Sequence, residues 1–398
     1  MHPLRILYIA HRIPYPPNKG EKIRAFHQIR HLSRTHEVHL ACLVDEREDL
    51  EHTKTLEKYC ASVDVVFRRK TAFRLRAMLG LLTNKPLSVT AFYDRELAKR
   101  IGEKLRAEEF DRIVVFSSAM AEYVRHTVGV PKVIDLVDAD SEKWRLFADY
   151  HPKPLSWLYR LEASHLSRYE EEVVRMSDRS VFVSEAEAEL LQQRVPERSM
   201  TVIPNGVDLD YFAPPSANLS SSKRPVVVFT GAMDYFPNGD AVQYFCRDIL
   251  PLITETCPEV RFYIVGRHPT RQVRALGRQR HVVVTGSVPD VRPYLRVAAV
   301  AVAPLRIARG VQNKILEAMA MGLPVVGTSS AFQGLRVTTT DGIRRADDPK
   351  HFAQEILALL ENSTLQRQCS LQARQFVQQH HRWQDHGASL ELLLHEIQ

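Results

Sequence analysis

No stretch of the 398 residues approaches the roughly 18 consecutive apolar residues that a membrane-crossing helix needs. The chain therefore reads as one that touches a membrane at most. Cysteine is scarce. Cys42, Cys60, Cys246, Cys257 and Cys369 are odd in number and follow no zinc-binding spacing. That excludes a disulfide framework and fits a reducing cytoplasm. No metal-ligand cluster stands out, so no metal is expected. The start, MHPLRILYIAHRIPYPP, has too short an apolar run for a signal peptide and reads as a first strand. A net charge of +7 suits anionic ligands or an anionic surface. No helix-turn-helix, zinc-finger or aromatic RNA-binding motif accompanies it, so nucleic acid is not expected as a partner.

What is present is globular in composition, 44% hydrophobic and 25% charged. The length exceeds one ordinary core and predicts two domains. Strands are predicted at Arg5–Ala10, Glu37–Val44, Val63–Phe67, Asp111–Phe116, Val133–Val137 and Ser180–Val183, alternating with helices. The alternation restarts at Val226–Thr230, Arg261–Val265 and His281–Thr285. APPSANLSSSKRP has loop composition and separates the halves. The expected division is 1–204 and 225–378 as two doubly wound α/β domains, 205–224 as the linker, and 379–398 as a terminal helix.

The chain is organised around Pro304–Gly327, PLRIARGVQNKILEAMAMGLPVVG. An apolar strand and its loop end at Gly310. That glycine opens a helical pattern carrying Val311, Ile315, Leu316, Met319 and Ala320. Gly322 stops the helix and Leu323–Val326 reads as the next buried strand. Backbone N–H groups at such a helix start favour an anion such as a diphosphate. Lys314 lies in the first turn, where a cation is locally unfavourable without an anion. Glu317 falls on the same side as Lys314 and Asn313, and its carboxylate could accept two ribose hydroxyls. The same spacing also fits a plain surface Lys–Glu pair.

Other candidates follow predicted strand ends. HRIPYPPNKG brings His11, Arg12 and Lys19 as positive charge and Gly20 as a point of close backbone approach. Asp138 ends a strand, either as a functional carboxylate or, with Ser141, as a cap of the next helix. Ser117 and Ser118 are set to cap a helix after the fourth strand. Ser184 with Glu187 has the form of a capping box. Gly231, Gly266 and Gly286 each follow a strand, which any doubly wound fold also requires. Asn238 is placed to cap a helix. Arg68, Arg69, Lys70, Arg74 and Arg76 are interleaved with Phe73, Leu75, Met78, Leu79, Leu81 and Leu82. The run suits a membrane interface or a helix packed on the sheet.

KILEAMAMGLPVVGT resembles the donor-site signature of retaining GT-B glycosyltransferases of the family-four type. The resemblance implies two Rossmann-like domains facing across a cleft, with the last helix crossing back to the first domain and Trp383 anchoring it. It assigns Glu317 to the nucleotide ribose. The family's earlier glutamate falls at Arg309, which could instead clamp a phosphate or a sugar hydroxyl. PPNKG is similar to the glycine loop beneath the transferred sugar. VIPNGVD is similar to the domain crossing, where Asn205 and Gly206 line the cleft and Asp208 holds the turn. TGSV is similar to the base-binding turn at Val288, and Gly310, Val311 and Asn313 fall on the donor side. At Asp138 many relatives carry histidine. In GAMDYFPN, Asp234 and Asn238 replace an arginine and a lysine. The missing charge is then expected from Arg309, Lys314 or Arg12.

Together, HRIPYPPNKG, VIDLVDADSEKW, GAMDYFPN and PLRIARGVQNKILEAMA resemble sugar transferases associated with PEP-CTERM/exosortase systems and exopolysaccharide loci. The implied reaction moves a sugar from a nucleotide diphosphate sugar to a hydroxyl of a glycan or lipid-linked acceptor. Configuration is retained and neither cofactor nor metal takes part. A nucleotide-sugar epimerase of the same fold and a non-catalytic nucleotide-binding scaffold are the competing expectations. The implied location is the cytoplasm, including the inner face of the membrane.

Overall fold

The structure is a computed structural model that describes residues 2–68, 85–214 and 225–397. The basic–apolar run falls mostly outside the described residues, as does much of the predicted linker. The chain divides into two compact units. Unit 1 comprises Met1–Pro204 with Trp383–Gln398, and unit 2 comprises Asn205–Arg382. Residues 379–382, expected with the terminal helix, thus belong to unit 2, as do the first residues of the expected linker.

Unit 1 contains β1 (Arg5–Ala10), β2 (Glu37–Val44), β3 (Ser62–Phe67), β4 (Arg112–Phe116), β5 (Lys132–Val137), β6 (Arg179–Phe182) and β7 (Met200–Val202). They pair in parallel in the order β3-β2-β1-β4-β5-β6-β7. β1 reads as an unbroken apolar run because helices cover both faces of a parallel sheet. Its odd and even side chains enter two separate cores, Leu7 and Ile9 on one side, Ile6 and Tyr8 on the other. The chain winds outward from β1 to β3, then returns to the other side of β1 at β4. That reversal parts the loops after β1 and β4 and opens a ligand position at the strands' C-terminal ends.

The helices that matter for unit 1 are α1 (Gly20–Leu32), α2 (Asp140–Asp149), α3 (Leu155–Met176) and α4 (Glu185–Arg194). Under α1 lies a buried ion pair. Arg24 Nε donates to Asp135 Oδ2 at 2.7 Å, and Gln28 Nε2 donates to the same oxygen at 2.7 Å. Arg24 Nη1 also donates to the carbonyls of Ile203 (2.9 Å) and Pro204 (3.2 Å), tying the end of the unit's first segment to its core. A buried charge is tolerable only when it is paired and hydrogen-bonded, as the Arg24 Nε and Nη1 groups are here.

Unit 2 repeats the plan with β8 (Val226–Thr230), β9 (Arg261–Val265), β10 (Val282–Gly286), β11 (Val300–Ala303), β12 (Val325–Gly327) and β13 (Ile343–Arg345). The order is β10-β9-β8-β11-β12-β13, all parallel. Its reversal falls between β8 and β11, so the loops after these strands, Gly231–Tyr235 and Pro304–Gln312, flank the switch point at which doubly wound sheets commonly bind ligands. β13 is a finding, since Val337–Ile343 has no strand pattern of its own. It forms because β12 offers an open parallel edge. The helices used below are α5 (Phe236–Tyr244), α6 (Asn313–Ala320) and α7 (Ser363–His380).

The last helix, α8 (Trp383–Glu396), packs on α1. Trp383 stacks on His27 with ring centroids 4.7 Å apart and planes 5° from parallel. Gly387 lets the helices approach, because a Cβ there would overlap the ring of His31.

Candidate functional site

In unit 2 the site begins where β8 ends. Gly231 leaves no room for a side chain, since a Cβ would lie 2.7 Å from Asn238 Nδ2. A Cβ at Gly266, after β9, would overlap the Gly231 carbonyl. The two glycines thus let neighbouring strand-end loops touch backbone to backbone. Asn238 is not the cap the sequence suggested. It lies inside α5, whose N-cap Tyr235 has no side-chain capping bond. Its Nδ2 donates to Ala232 O at 2.8 Å, and its Oδ1 accepts from Lys314 Nζ.

Lys314 projects from α6. The helix starts at Asn313, three residues after the expected opening at Gly310. Gly310 instead takes a left-handed conformation (φ 61°) in the preceding loop, a conformation costly for residues with a Cβ. The loop comes close to Gly334, where a Cβ would overlap the Gly310 carbonyl. Val311 and Arg309 are half-buried in this loop. The Arg309 carbonyl accepts from Gln312 Nε2 at 3.0 Å. The other loop cation is structural, since Arg306 pairs with Asp240 and lies over Tyr244.

Lys314 Nζ sits 4.5 Å from the centroid of the Phe229 ring. Burial pushes its pKa down to about 7, only partly opposed by Glu317. Burial likewise pushes Glu317 up to about 7, opposed by Lys314. Each group is thus poised to change charge near neutrality, and an anion placed here would favour the lysine's proton. Asn313 is fixed from beside. Its Oδ1 accepts from Asn205 Nδ2 at 3.0 Å, and His381 Nδ1 holds the Asn205 carbonyl at 2.7 Å. With its oxygen occupied, the Asn313 amide has N–H groups to offer a ligand. Asp208 Oδ1 accepts from the amides of Asp210 and Tyr211, which holds the turn as expected. Gly286 (φ 69°) closes β10, and Val288 packs half-buried against the core of unit 2.

The candidates of unit 1 meet different fates. His11 lies parallel to Phe116 (5.8 Å between centroids) and edge-on to Phe92 (5.3 Å). Burial first, then the Arg12 charge, lowers its pKa to about 4. It is therefore neutral and adds no positive charge, contrary to expectation. Arg12 is held between carboxylates, with Glu21 at 2.6 Å and Asp45 at 3.1 Å. Lys19 lies 3.5 Å from Glu46. The basic loop is thus largely neutralised by acids that its own sequence does not reveal. Gly20 is the first, exposed residue of α1.

Asp138 does not cap a helix. It follows Val137, which has a left-handed φ of 70°, and α2 has no side-chain cap. Ser141, the other expected cap, bonds through both N and Oγ to buried Glu170 (2.9 and 2.5 Å). Asp138 Oδ1 is buried with no hydrogen-bond partner among the described residues. Burial, helped by Glu187 and Asp140, pushes its pKa up to about 7. The capping box at Ser184 is also absent, because Glu187 accepts from Ala139 N (2.8 Å) and Ser184 makes no capping bond. Nor does Ser117 cap the turn that follows β4.

Residues 224–362 match the family described as glycosyl transferases group 1, and residues 145–211 match glycosyltransferase family 4. The fold matches sucrose-phosphate synthase from Thermosynechococcus elongatus with a TM-score of 0.72 and 16% identity, over 99% of this chain and 98% of that one. The fold is GT-B. Among other GT-B structures, Anabaena HepE in complex with UDP and glucose matches with a TM-score of 0.69 and 15% identity, covering 99% of this chain and 100% of that one. WaaG, a glycosyltransferase involved in lipopolysaccharide biosynthesis, matches at 0.67 and 15%, covering 97% and 99%. A Klebsiella pneumoniae protein described as an uncharacterized 44.6 kDa protein in the cps region is 20% identical over 95% of this chain and 96% of its own length. Both units therefore carry glycosyltransferase sequence on a GT-B frame. No described helix is long and apolar enough to cross a membrane.

Sequence reasoning singled out Lys314, Glu317, Asn238 and the glycines, and the structure brings Lys314 and Asn238 into contact. That reasoning missed Phe229 beneath Lys314, the acids around Arg12, and a histidine–glutamate group at His36, Glu391 and His395. The pairings of Phe229 with Lys314, Asp45 with Arg12 and Glu391 with His36 join residues far apart in the chain, so no local signal marks them.

Proposed function

We propose that the protein is a retaining glycosyltransferase that moves a hexosyl group from a nucleotide diphosphate sugar to an acceptor hydroxyl in bacterial surface-glycan or exopolysaccharide synthesis. The observation that carries this reading is the Lys314–Asn238 contact beside Glu317, on the helix that follows the glycine loop at the sheet's reversal point. HepE, of the same fold, is known in complex with UDP-glucose, which supports a sugar nucleotide as the donor.

In this reading Glu317 accepts the ribose hydroxyls, while Gly286 and Val288 face the base. Lys314, Arg309 and the amides from Gly310 to Asn313 receive the diphosphate. The C1–O bond to the diphosphate breaks as its oxygen gains charge, and Lys314 stabilises that charge more in the transition state than in the ground state. The acceptor oxygen bonds C1 on the same face, and its proton passes to the departing phosphate oxygen. No residue forms a covalent sugar intermediate and no metal is needed to balance the charge. On the acceptor side, the Asp138 carboxyl orients a hydroxyl. Contact with the inner face of the cytoplasmic membrane through the run 67–86 belongs to the same proposal, and salt-sensitive binding to anionic vesicles checks it.

The deciding experiment incubates the purified protein with a panel of nucleotide sugars and with glycan and polyprenyl-phosphate-linked acceptors, read by mass spectrometry. Anomeric configuration is then read by NMR. A product of unchanged anomeric sense supports the reading. Inversion refutes retention, epimerised donor without transfer points to an epimerase, and nucleotide binding without any reaction points to a scaffold.

A further inference from the structure

Much of the chain's excess positive charge lies in one stretch. Six arginines and no acidic residue fall between Arg261 and Pro289, so this stretch alone holds almost all of the net charge of +7. It forms one edge of unit 2, since β10 ends the strand order of that sheet. Arg271 and Arg274 lie on the short helix Arg271–Leu276, and Arg278 and Arg280 lie in the turn before β10. The helix packs on β10. Arg261 opens β9 and donates through Nη1 to the Arg280 carbonyl, which joins the N-terminal ends of the two strands. From Arg271 to Arg280 the charges run beside a five-residue strand, a length of roughly 16 Å. Arg271, Arg274, Arg278 and Arg280 are exposed. None of the four has an acidic partner among the described residues. By contrast Arg247, Arg292 and Arg306 of the same unit are each paired with an aspartate.

We propose that this edge of unit 2 docks on an anionic lipid bilayer through Arg271, Arg274, Arg278 and Arg280. Charges that guard an open strand edge against pairing are the plain alternative. Such guards stand on the edge strand, but β10 reads VVVTG and carries no charge, and the arginines stand on the helix and turn beside it. Strung along the edge, they suit an extended polyanion rather than a small anion. Nucleic acid is read by a helix or strands in a groove, or by aromatic side chains under the bases. The helix here spans six residues, and both aromatics of the stretch are committed elsewhere, Phe262 in the core and Tyr263 against Tyr294 at 6.2 Å. A lipid headgroup layer asks for no matching relief. It collects on unneutralised cations, each worth roughly fivefold in affinity, and within a Debye length of about 10 Å neighbouring arginines act together. Guanidinium groups also hold phosphate oxygens in pairs. This surface is separate from the run 67–86 and takes no part in the chemistry.

The test is co-sedimentation of the full-length protein with phosphatidylglycerol–phosphatidylcholine vesicles, with pure phosphatidylcholine vesicles as the blank. Expected is binding to the anionic vesicles that is lost between about 0.1 and 1 M salt, as the Debye length falls from about 10 to about 3 Å. Arg271→Gln with Arg274→Gln keeps the fold by circular dichroism and lowers vesicle affinity roughly 25-fold. Arg271→Lys with Arg274→Lys keeps the charge and binds within a few-fold of the wild type. Arg247→Gln with Arg367→Gln removes the same net charge from other exposed positions of unit 2 and also binds within a few-fold of the wild type. Absence of anionic-vesicle binding by the wild type overturns the proposal. A glutamine pair at 271 and 274 that binds like the wild type overturns it too, and assigns docking to another surface. So does a lysine pair that falls with the glutamine pair, or a 247 and 367 pair that weakens binding equally, which reduces the effect to net charge. Tighter binding to a DNA duplex than to the vesicles at equal salt marks a nucleic-acid surface and overturns it as well.

Discussion

If an anion belongs beside Lys314, donor binding must depend on pH in a particular way. Burial over Phe229 holds the lysine near a pKa of about 7 in the empty protein. A bound diphosphate restores the charged form, so binding above pH 7 takes up a proton. Affinity then falls as pH rises, by up to tenfold or about 1.4 kcal/mol per unit. With a free-protein pKa near 7, half the lysine is charged at pH 7 and about 1% at pH 9, an expected loss of roughly 50-fold. A diphosphate diester such as a UDP-sugar is the right ligand, because it has no phosphate ionisation of its own in that range. Isothermal titration calorimetry at pH 7, 8 and 9, in buffers of different ionisation enthalpy, reports both affinity and proton uptake. Lys314→Met keeps the length of the side chain and removes its charge. It should bind weakly at pH 7, with a flattened profile and no proton uptake. A wild-type profile that is flat from pH 7 to 9, or a variant that keeps the wild-type slope, refutes the placement of the diphosphate at Lys314.

Glu317→Gln removes a charged acceptor of ribose hydroxyls and should weaken UDP binding by roughly 10- to 100-fold, with little effect on a ligand that lacks the ribose; competition binding with UDP and pyrophosphate distinguishes the two. Asp138→Asn should leave donor affinity unchanged and lower kcat. Loss of the wild-type pH dependence of turnover near pH 7 is its specific signature, since burial puts this carboxyl at about 7. Gly387→Ala places a methyl group into the ring of His31 and should cost about 1–3 kcal/mol in chemical denaturation, while UDP binding by the folded fraction is unaffected. Arg24→Ala leaves Asp135 buried without its partner and should cost about 3–5 kcal/mol, most of it recovered when Asp135 is also replaced by Asn.

Much of this protein is legible in short windows of its sequence. The apolar runs at Arg5–Ala10 and Val226–Thr230 are strands because a parallel sheet covered on both faces tolerates little else there. The glycines at 231, 266 and 310 and the Lys314–Glu317 spacing mark the loop end of the unit 2 sheet, because backbone approach and helical phase are local properties. Capping was read less well. Ser141, Ser184 and Asn238 all have the right residue type at a helix start, yet their surroundings are decided by Glu170, Glu187 and Lys314. Strand β13 was illegible for the same reason, since β12 supplies its hydrogen bonds and three of its own residues supply no pattern.

The sequence alone determined most of the strand and helix order, the two-part division and the position of the glycine loops, all set by neighbours a few residues apart. Only the tertiary structure decided which charges are available. Arg12 looks like a free cation until Asp45 closes on it, His11 looks basic until Phe92 and Phe116 enclose it, and Lys314 looks like a surface lysine until Phe229 lies beneath it. Desolvation and Coulomb terms act through space, so the ionisation of a side chain is fixed by residues that a window of sequence does not contain.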